Sequence, residues 1–190
     1  MHCIKFNTGW TFEKAENDSQ LKAFQGKQNQ TEVTLPYDAM IREKRAKDCP
    51  AGAQSGFYPG GIYNYEKIFL VPEEWKEQDV LVEFEGVYGI TKVWINGAFA
   101  AVNRNGYVEF TVDLRPWIFY GGENTIRVEV DNSRQPNSRW YTGSGIYRDV
   151  NLLIGNDVYI PRNGVRITTL SASDEIAVVE VCAEVKNIIG

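Results

Sequence analysis

Apolar and polar residues alternate along most of this chain, in short runs separated by turn residues. Ile62 to Leu70 alternates and stops at Pro72, and Pro72-Glu73-Glu74-Trp75 is a polar turn. Asp79 to Glu85 alternates with Leu81 as its one break, and Gly86-Val87-Tyr88-Gly89 turns. Ile90 to Ile95 alternates again and ends in Asn96-Gly97. Asn-Gly between two alternating runs signals a hairpin, because both central residues of a type I′ turn need positive φ. Ala98 to Val102 is the expected return strand, followed by the turn Asn103-Arg104-Asn105-Gly106 and a strand over Tyr107 to Val112. Asp113 to Trp117 reads as a turn or helical stub. Gly121 to Asn124 punctuates, Thr125 to Val130 is the cleanest half-buried strand, and Val150 to Ile154 makes another. Helical periodicity is scarce; its best candidate is Asn17 to Phe24, capped by Asp18 or Ser19. Strands about ten residues apart with Gly, Pro and Asn between them predict an all-β antiparallel sandwich or jelly roll.

Three stretches break the alternation. Thr34 to Gly61 opens with Leu35-Pro36-Tyr37-Asp38 and closes with Phe57-Tyr58-Pro59-Gly60-Gly61. A loop of this length in a compact domain is functional, mobile, or an arm packed on the body. Asp131 to Ser138 is a polar loop leading into Arg139-Trp140-Tyr141-Thr142-Gly143-Ser144-Gly145-Ile146-Tyr147-Arg148-Asp149-Val150. Large aromatic and Arg side chains on a loop of a β scaffold mark a binding region. Gly143 and Gly145 are expected to serve backbone geometry, and Arg148 and Asp149 to pair with each other where the next strand begins. Beyond Tyr159 to Gly164, which reads as a linker, Val165 to Leu170 and Ile176 to Val185 form two more strands. Two strands make a marginal hairpin rather than a domain.

Composition narrows the classes. The 190 residues carry 43% hydrophobic and 24% charged residues with net charge −5, ordinary for a globular domain with a sizeable core. The one basic cluster, Arg42 to Lys47, is interrupted by Glu43 and closed by Asp48; it reads as a solvated loop, so no nucleic-acid partner is expected. Cys3, Cys49 and Cys182 are far apart and His2 is the single histidine. That leaves no metal spacing, no disulfide framework and no Ser-His or Cys-His pair. No apolar run is long enough to span a membrane as a helix. The N-terminus has no signal-peptide core, which leaves the compartment unassigned. Five Trp and ten Tyr suit a β-rich protein and equally a sugar binder.

Five motifs in order carry a resemblance: Leu35-Pro36-Tyr37-Asp38; Pro59 to Phe69; Val93-Trp94-Ile95-Asn96-Gly97; Gly122 to Val128; and Arg139 to Val150. Together they resemble the N-terminal sugar-binding jelly-roll (galactose-binding-domain-like) domain of glycoside hydrolase family 2, which holds β-galactosidases, β-glucuronidases and β-mannosidases. The resemblance covers about residues 5 to 162. It implies a jelly-roll domain over 1–162 and, over 163–190, the truncated start of an immunoglobulin-like sandwich. Many members read His where this chain has Tyr37, and Trp where it has Ala39. The Arg139-Trp140-Tyr141 form is most similar to the β-galactosidase branch.

The resemblance implies retaining hydrolysis of an O-glycosyl bond by two carboxyl groups about 5–5.5 Å apart, both on a (β/α)8 barrel of ~200 residues or more that this chain is too short to hold. No catalytic residue, metal or cofactor is therefore assigned here. Glu83 and Glu85 are expected on the outward, solvated face of a strand, Glu73 and Glu74 in a turn, and Asp174 and Glu175 at a hairpin tip. The domain's implied role is to dock on its own immunoglobulin-like and barrel domains and to shape the pocket for a β-galactoside-type carbohydrate. Asp38, Asn137, Arg139, Trp140 and Tyr141 are the candidates for the pocket rim, with Tyr58 behind them. Arg139 offers a planar fork to a carboxylate or hydroxyls, and Trp140 an apolar face to a pyranose ring, although a Trp before a Gly turn also serves packing. The alternatives are an autonomous carbohydrate-binding module, a docking domain whose loops hold only protein contacts, and the β-glucuronidase or β-mannosidase branch of the same family. The exposed final strands are expected to pair with the chain's own body or with a second copy, giving a homodimer.

Overall fold

The computed structural model describes residues 1–15, 30–156 and 158–187. The expected helix over Asn17 to Phe24 lies outside the described residues. In chain order the strands are β1 (His2–Lys5), β2 (Trp10–Ala15), β3 (Thr31–Val33), β4 (Ile62–Val71), β5 (Asp79–Phe84), β6 (Val87–Tyr88), β7 (Ile90–Ile95) and β8 (Ala98–Asn103). They continue as β9 (Phe110–Asp113), β10 (Gly122–Asp131), β11 (Gly145–Ile146), β12 (Val150–Gly155), β13 (Val158–Tyr159), β14 (Val165–Ala172), β15 (Ala177–Ala183) and β16 (Lys186–Asn187). Two antiparallel sheets enclose one core: a four-stranded sheet ordered β1-β12-β5-β9 and a six-stranded sheet ordered β3-β2-β4-β10-β7-β8. This is the all-β sandwich that the strand spacing predicts.

The alternation explains which face each strand buries. Val80, Val82 and Phe84 of β5 meet Tyr63, Tyr65, Val93, Ile95, Ile126 and Val128 of the facing sheet in one apolar cluster. Burying each such side chain contributes about 1.5–3 kcal/mol. Trp10 is fully buried at one margin of this core and donates its indole N–H to the Phe6 carbonyl at 2.7 Å, which removes the cost of burying that donor. Asn96 and Gly97 adopt φ of 50° and 81°, so the β7–β8 hairpin has the turn its sequence demands. Asn96 also donates to the Trp117 carbonyl and to the Asn124 Oδ1, both at 2.8 Å, closing that end of the sandwich.

Four expectations are corrected. Gly86 to Gly89 is not only a turn, because Val87 and Tyr88 form β6, which pairs with Gly145-Ile146. The strand expected from Tyr107 starts only at Phe110. Side-chain turns of Asn103 and Asn105 hold the backbone up to Tyr107. Arg148 and Asp149 do not pair with each other: Asp149 binds Lys5 and Asn7, and the Arg148 guanidinium lies 5.7 Å from the Tyr147 ring centroid. Glu83 points outward from β5 as its register dictates, yet it is fully buried, not solvated. The chain leaving β12 folds back over that face. Arg162 Nε lies 2.7 Å from the Glu83 carboxylate, and Asn151 donates to Glu83 and Glu85 at 3.0 Å each.

The same face buries Asp79, which is bound by Tyr159, Lys186 and Arg115. β13 pairs with β16, so the base of the β14–β15 hairpin is tied to the sandwich. Above that base both faces of the hairpin are exposed, including Ile167, Leu170, Val179 and Val181.

Candidate functional site at the loop end of the sandwich

Strand register gathers the irregular segments at one end. Asp131 lies opposite both Ile62 and Ile90, and Asn103 lies opposite Thr91. The loops that leave those positions are 34–61, 86–90, 103–109 and 131–149. Two expected stretches run side by side there: Tyr37 N–H donates to the Ile146 carbonyl and Ala39 N–H to the Ser144 carbonyl, both at 2.8 Å. Gly145 makes this possible. Its φ is +106°, and a Cβ on it would stand 2.0 Å from the Tyr65 hydroxyl, which itself donates to the Tyr37 carbonyl at 3.0 Å.

Asp38 clamps the two stretches. Its Oδ1 accepts from Ser144 N–H at 2.9 Å and Met40 N–H at 3.0 Å, and its Oδ2 accepts the Tyr141 hydroxyl at 2.7 Å. Burial, and then the Asp38 carboxylate beside it, push the Tyr141 phenol above its ordinary range, so it stays protonated and donating. Tyr141 meets Tyr58 edge-on at 5.6 Å, and Tyr58 in turn lies 5.2 Å from the Arg45 guanidinium. Arg42 sits 5.3 Å from the Tyr37 ring. The basic cluster is thus partly spent on aromatic faces of its own loop, worth about 0.5–1 kcal/mol each at exposed sites.

Asn132 is the second anchor and is buried. Its amide donates to the Gly143 carbonyl at 3.1 Å and the Ser144 hydroxyl at 2.5 Å, while its Oδ1 accepts the Asn137 amide at 2.5 Å. One side chain therefore fixes both ends of the 131–144 loop. Beside it opens a cleft of about 400 Å³, lined by Tyr88, Gly89, Ile90, Arg104, Asn105, Gly106, Tyr107, Asp131, Asn132, Arg134 and Asn137. That volume is within the usual range for a small-molecule site. Trp140 is 60% exposed and reaches the cleft margin, its indole N–H 3.3 Å from the Tyr107 hydroxyl. A second hollow, of about 440 Å³, lies within the long loop among Arg45, Ala46, Lys47 and Phe57.

The structure separates the five candidates into three roles. Asn137 lines the cleft and Trp140 borders it. Asp38 and Tyr141 are hydrogen-bonded to each other away from its wall. Arg139 is exposed and makes no hydrogen bond or ion pair with the described residues. The pattern did not single out Tyr88, Arg104, Tyr107, Asn132 or Arg134. The signal that finds them is register: the turn after β8 and the loop after β10 leave the sheet on the same side. Among the described residues, no group of three or more His, Cys, Asp or Glu is placed to hold a metal ion. The three cysteines are free thiols.

The antiparallel sandwich thus carries a polar, aromatic-edged cleft among the loops at one end. Residues 30–155 match the family model described as glycosyl hydrolases family 2, sugar binding domain, and the chain belongs to that family. It is similar to a β-galactosidase of Bacteroides ovatus, with 33% identity over 96% of this chain and 21% of that protein. It is also similar to a β-glucuronidase of Bacteroides fragilis, with 35% identity over 60% of this chain and 17% of that protein. Among solved structures, a glycosyl hydrolase family 2 member from Bacteroides cellulosilyticus superposes with TM-score 0.84 at 29% identity, covering 95% of this chain and 24% of that one. A β-glycosidase from Bacteroides vulgatus superposes with TM-score 0.78 at 34% identity, covering 97% and 24%. The matched part of the chain thus spans between 17% and 24% of the length of these relatives.

Proposed function

We propose that this chain is the non-catalytic sugar-binding domain of a retaining glycoside hydrolase of the β-galactosidase type, and that its loop end forms one wall of the substrate pocket. The observation that carries the reading is the family match over residues 30–155 combined with the make-up of the cleft. The cleft offers amide, hydroxyl, guanidinium and aromatic groups that suit sugar hydroxyls and ring faces, but a single carboxylate, Asp131. Retaining hydrolysis needs two carboxyl groups, so the chemistry belongs to another domain. Asn137 and Trp140 touch substrate at the rim. Asp38 and Tyr141 hold the loop that carries Trp140, and Arg139 meets the substrate or the neighbouring barrel. Residues 1–162 form this domain, and the exposed β14–β15 hairpin, tied only at its base, starts a second, immunoglobulin-like sandwich that covers its apolar residues.

The test is direct. The purified chain is expected to leave nitrophenyl β-galactoside and nitrophenyl β-glucuronide intact. In an intact enzyme carrying this domain, Asn137→Ala is expected to raise KM with a smaller change in kcat, because the lost contact binds ground and transition states alike. Turnover that copurifies with the 190-residue chain would overturn the reading, as would an intact enzyme indifferent to both Asn137→Ala and Trp140→Ala.

A further inference from the structure

The cleft is lined by two arginines, Arg104 and Arg134, and by one acidic residue, Asp131. Asp131 is already engaged, since its Oδ1 accepts the Ser133 N–H at 2.9 Å and the Ser133 hydroxyl at 2.6 Å. Neither arginine makes an ion pair or hydrogen bond with the described residues. Elsewhere this protein behaves differently: Arg115 and Arg162 both bind carboxylates. The net charge of the chain is −5, so two unpaired cations facing one hollow are a local reversal of the protein's field.

Both arginines sit on loops that are held before any ligand arrives. The Arg104 turn is fixed by Asn103 and Asn105, and by Tyr147, whose hydroxyl donates to the Gly106 carbonyl at 2.8 Å. The Arg134 loop is fixed by Asn132, Gln135 and Asn137. A site that is ordered in advance loses less entropy on binding. Tyr88 and Tyr107 meet edge-on at 5.3 Å across the cleft margin, offering an apolar wall beside the charges. Planar guanidinium forks match carboxylate and sulfate oxygens.

We infer that this cleft is an anion subsite, and that the saccharides it takes carry a negative group: a uronic-acid carboxylate or a sulfate ester. The inference rests on the reading of the chain as a sugar-binding domain and adds the charge of the sugar. Methyl β-galactoside, methyl β-glucuronide and galactose 6-sulfate are titrated into the 190-residue chain, with inorganic sulfate as a fourth arm, and binding is followed by backbone amide shifts. At least one acidic sugar is expected to bind about tenfold more tightly than the neutral galactoside, the worth of one charged hydrogen bond, and to weaken as salt is raised. Whichever acidic sugar leads identifies the group. Arg104→Gln and Arg134→Gln, both at exposed positions, are expected to remove that advantage while leaving the unfolding midpoint in place. Equal binding of neutral and acidic sugars overturns the anion subsite and leaves the sugar-domain reading standing. Inorganic sulfate matching the acidic sugars overturns it in favour of a simple anion site. Absence of all binding overturns it outright, while the kinetic test in the intact enzyme still decides the domain's function separately.

Discussion

At the loop end Asn132 is buried among neutral partners, whereas on the outer face of β5 Asp79 and Glu83 are buried against cations. Both places bury polar groups, and Asn132, Asp79 and Glu83 each find partners, as the cost of leaving such groups unpaired requires, while the Oδ1 of Asn151 beside Glu83 has none. The partners differ in where they come from. Asn132 is answered by its own loop, so the adjoining arginines stay free to face the cleft. Asp79 and Glu83 are answered by Arg115, Arg162 and Lys186, the last two from the segments that lead to and from the hairpin. The first network prepares a surface for something outside the chain. The second has used up its charge in fastening one part of the chain to another.

Breaking the ionic network is expected to have the largest effect, and an asymmetric one. Arg162→Ala leaves Glu83 charged and buried with only Asn151 beside it. Removing one partner of a buried pair costs about 3–5 kcal/mol when water is excluded. Arg162 is 46% exposed, so water entering its place lowers the cost to about 2 kcal/mol, or roughly 4–8 °C in Tm. Glu83→Gln removes the charge instead, keeps an acceptor for Asn151 and lets Arg162 turn to solvent, so its cost is under about 1 kcal/mol. Thermal unfolding of the two variants checks the order, and equal losses would show that Glu83 is not the member held at a cost.

Glu83 also marks the limit of what the sequence made legible. Its position on the outward side of β5 was readable from alternation with Val82 and Phe84. Its burial was not, because it depends on where Tyr159 to Gly164 folds, and no local pattern encodes that. The central strands β4, β7 and β10 were readable because each has one apolar and one polar face. β1 and β2 were not singled out: His2 to Lys5 is short with exposed residues on its outer side, and Thr11 and Lys14 dilute the signal of Trp10 and Phe12. The site divides in the same way. Asn137 and Trp140 belong to one contiguous stretch, and sequence alone proposes them. Arg104 lies outside that stretch, with β9 and β10 between them, and only the register of β7, β8 and β10 brings it to the same cleft as Arg134.

Acid sharpens the comparison with a smaller, local effect. Burial alone would raise the Asp79 carboxyl, but hydrogen bonds from Lys186 and Tyr159 and the charge of Arg115 outweigh it and hold the group below its ordinary 3.8. The bond to Asp79 raises Lys186 above 10.5. A depressed carboxyl contributes stability that is present above its unfolded value and lost as pH falls through the folded one. A raised lysine contributes below its unfolded value and loses that contribution as pH rises through the folded one. The Asp79–Lys186 tie is therefore complete between about pH 4 and pH 10 and is released on the acid side below 3.8. Hydrogen exchange at Tyr159 and Lys186 is expected to lose about two- to fivefold protection there. The Asn132 amide, donating to the Gly61 carbonyl at 2.8 Å, is the control that keeps its protection. Simultaneous loss at both places would mean that acid unfolds the sandwich as a whole instead of loosening the hairpin base.

The smallest expected change in stability is at Trp140, and it separates recognition from packing. A tryptophan ahead of a glycine turn is as consistent with packing as with binding, but here the ring is 60% exposed and its one described polar contact is the Tyr107 hydroxyl. Removing it deletes little buried area. Trp140→Ala is expected to shift unfolding stability by no more than about 0.5 kcal/mol, the usual span for a surface substitution. The adjacent Tyr141→Phe, which takes a hydroxyl from Asp38, is expected to cost about 1 kcal/mol. If the cleft margin recognises a sugar face, the order reverses in a binding experiment: Trp140→Ala weakens saccharide binding by about tenfold, while Tyr141→Phe, acting through the loop alone, changes it less. Denaturant unfolding and amide-shift titration of the same two variants read both scales, and a Trp140→Ala protein that is destabilised but binds as before would make the ring a packing residue.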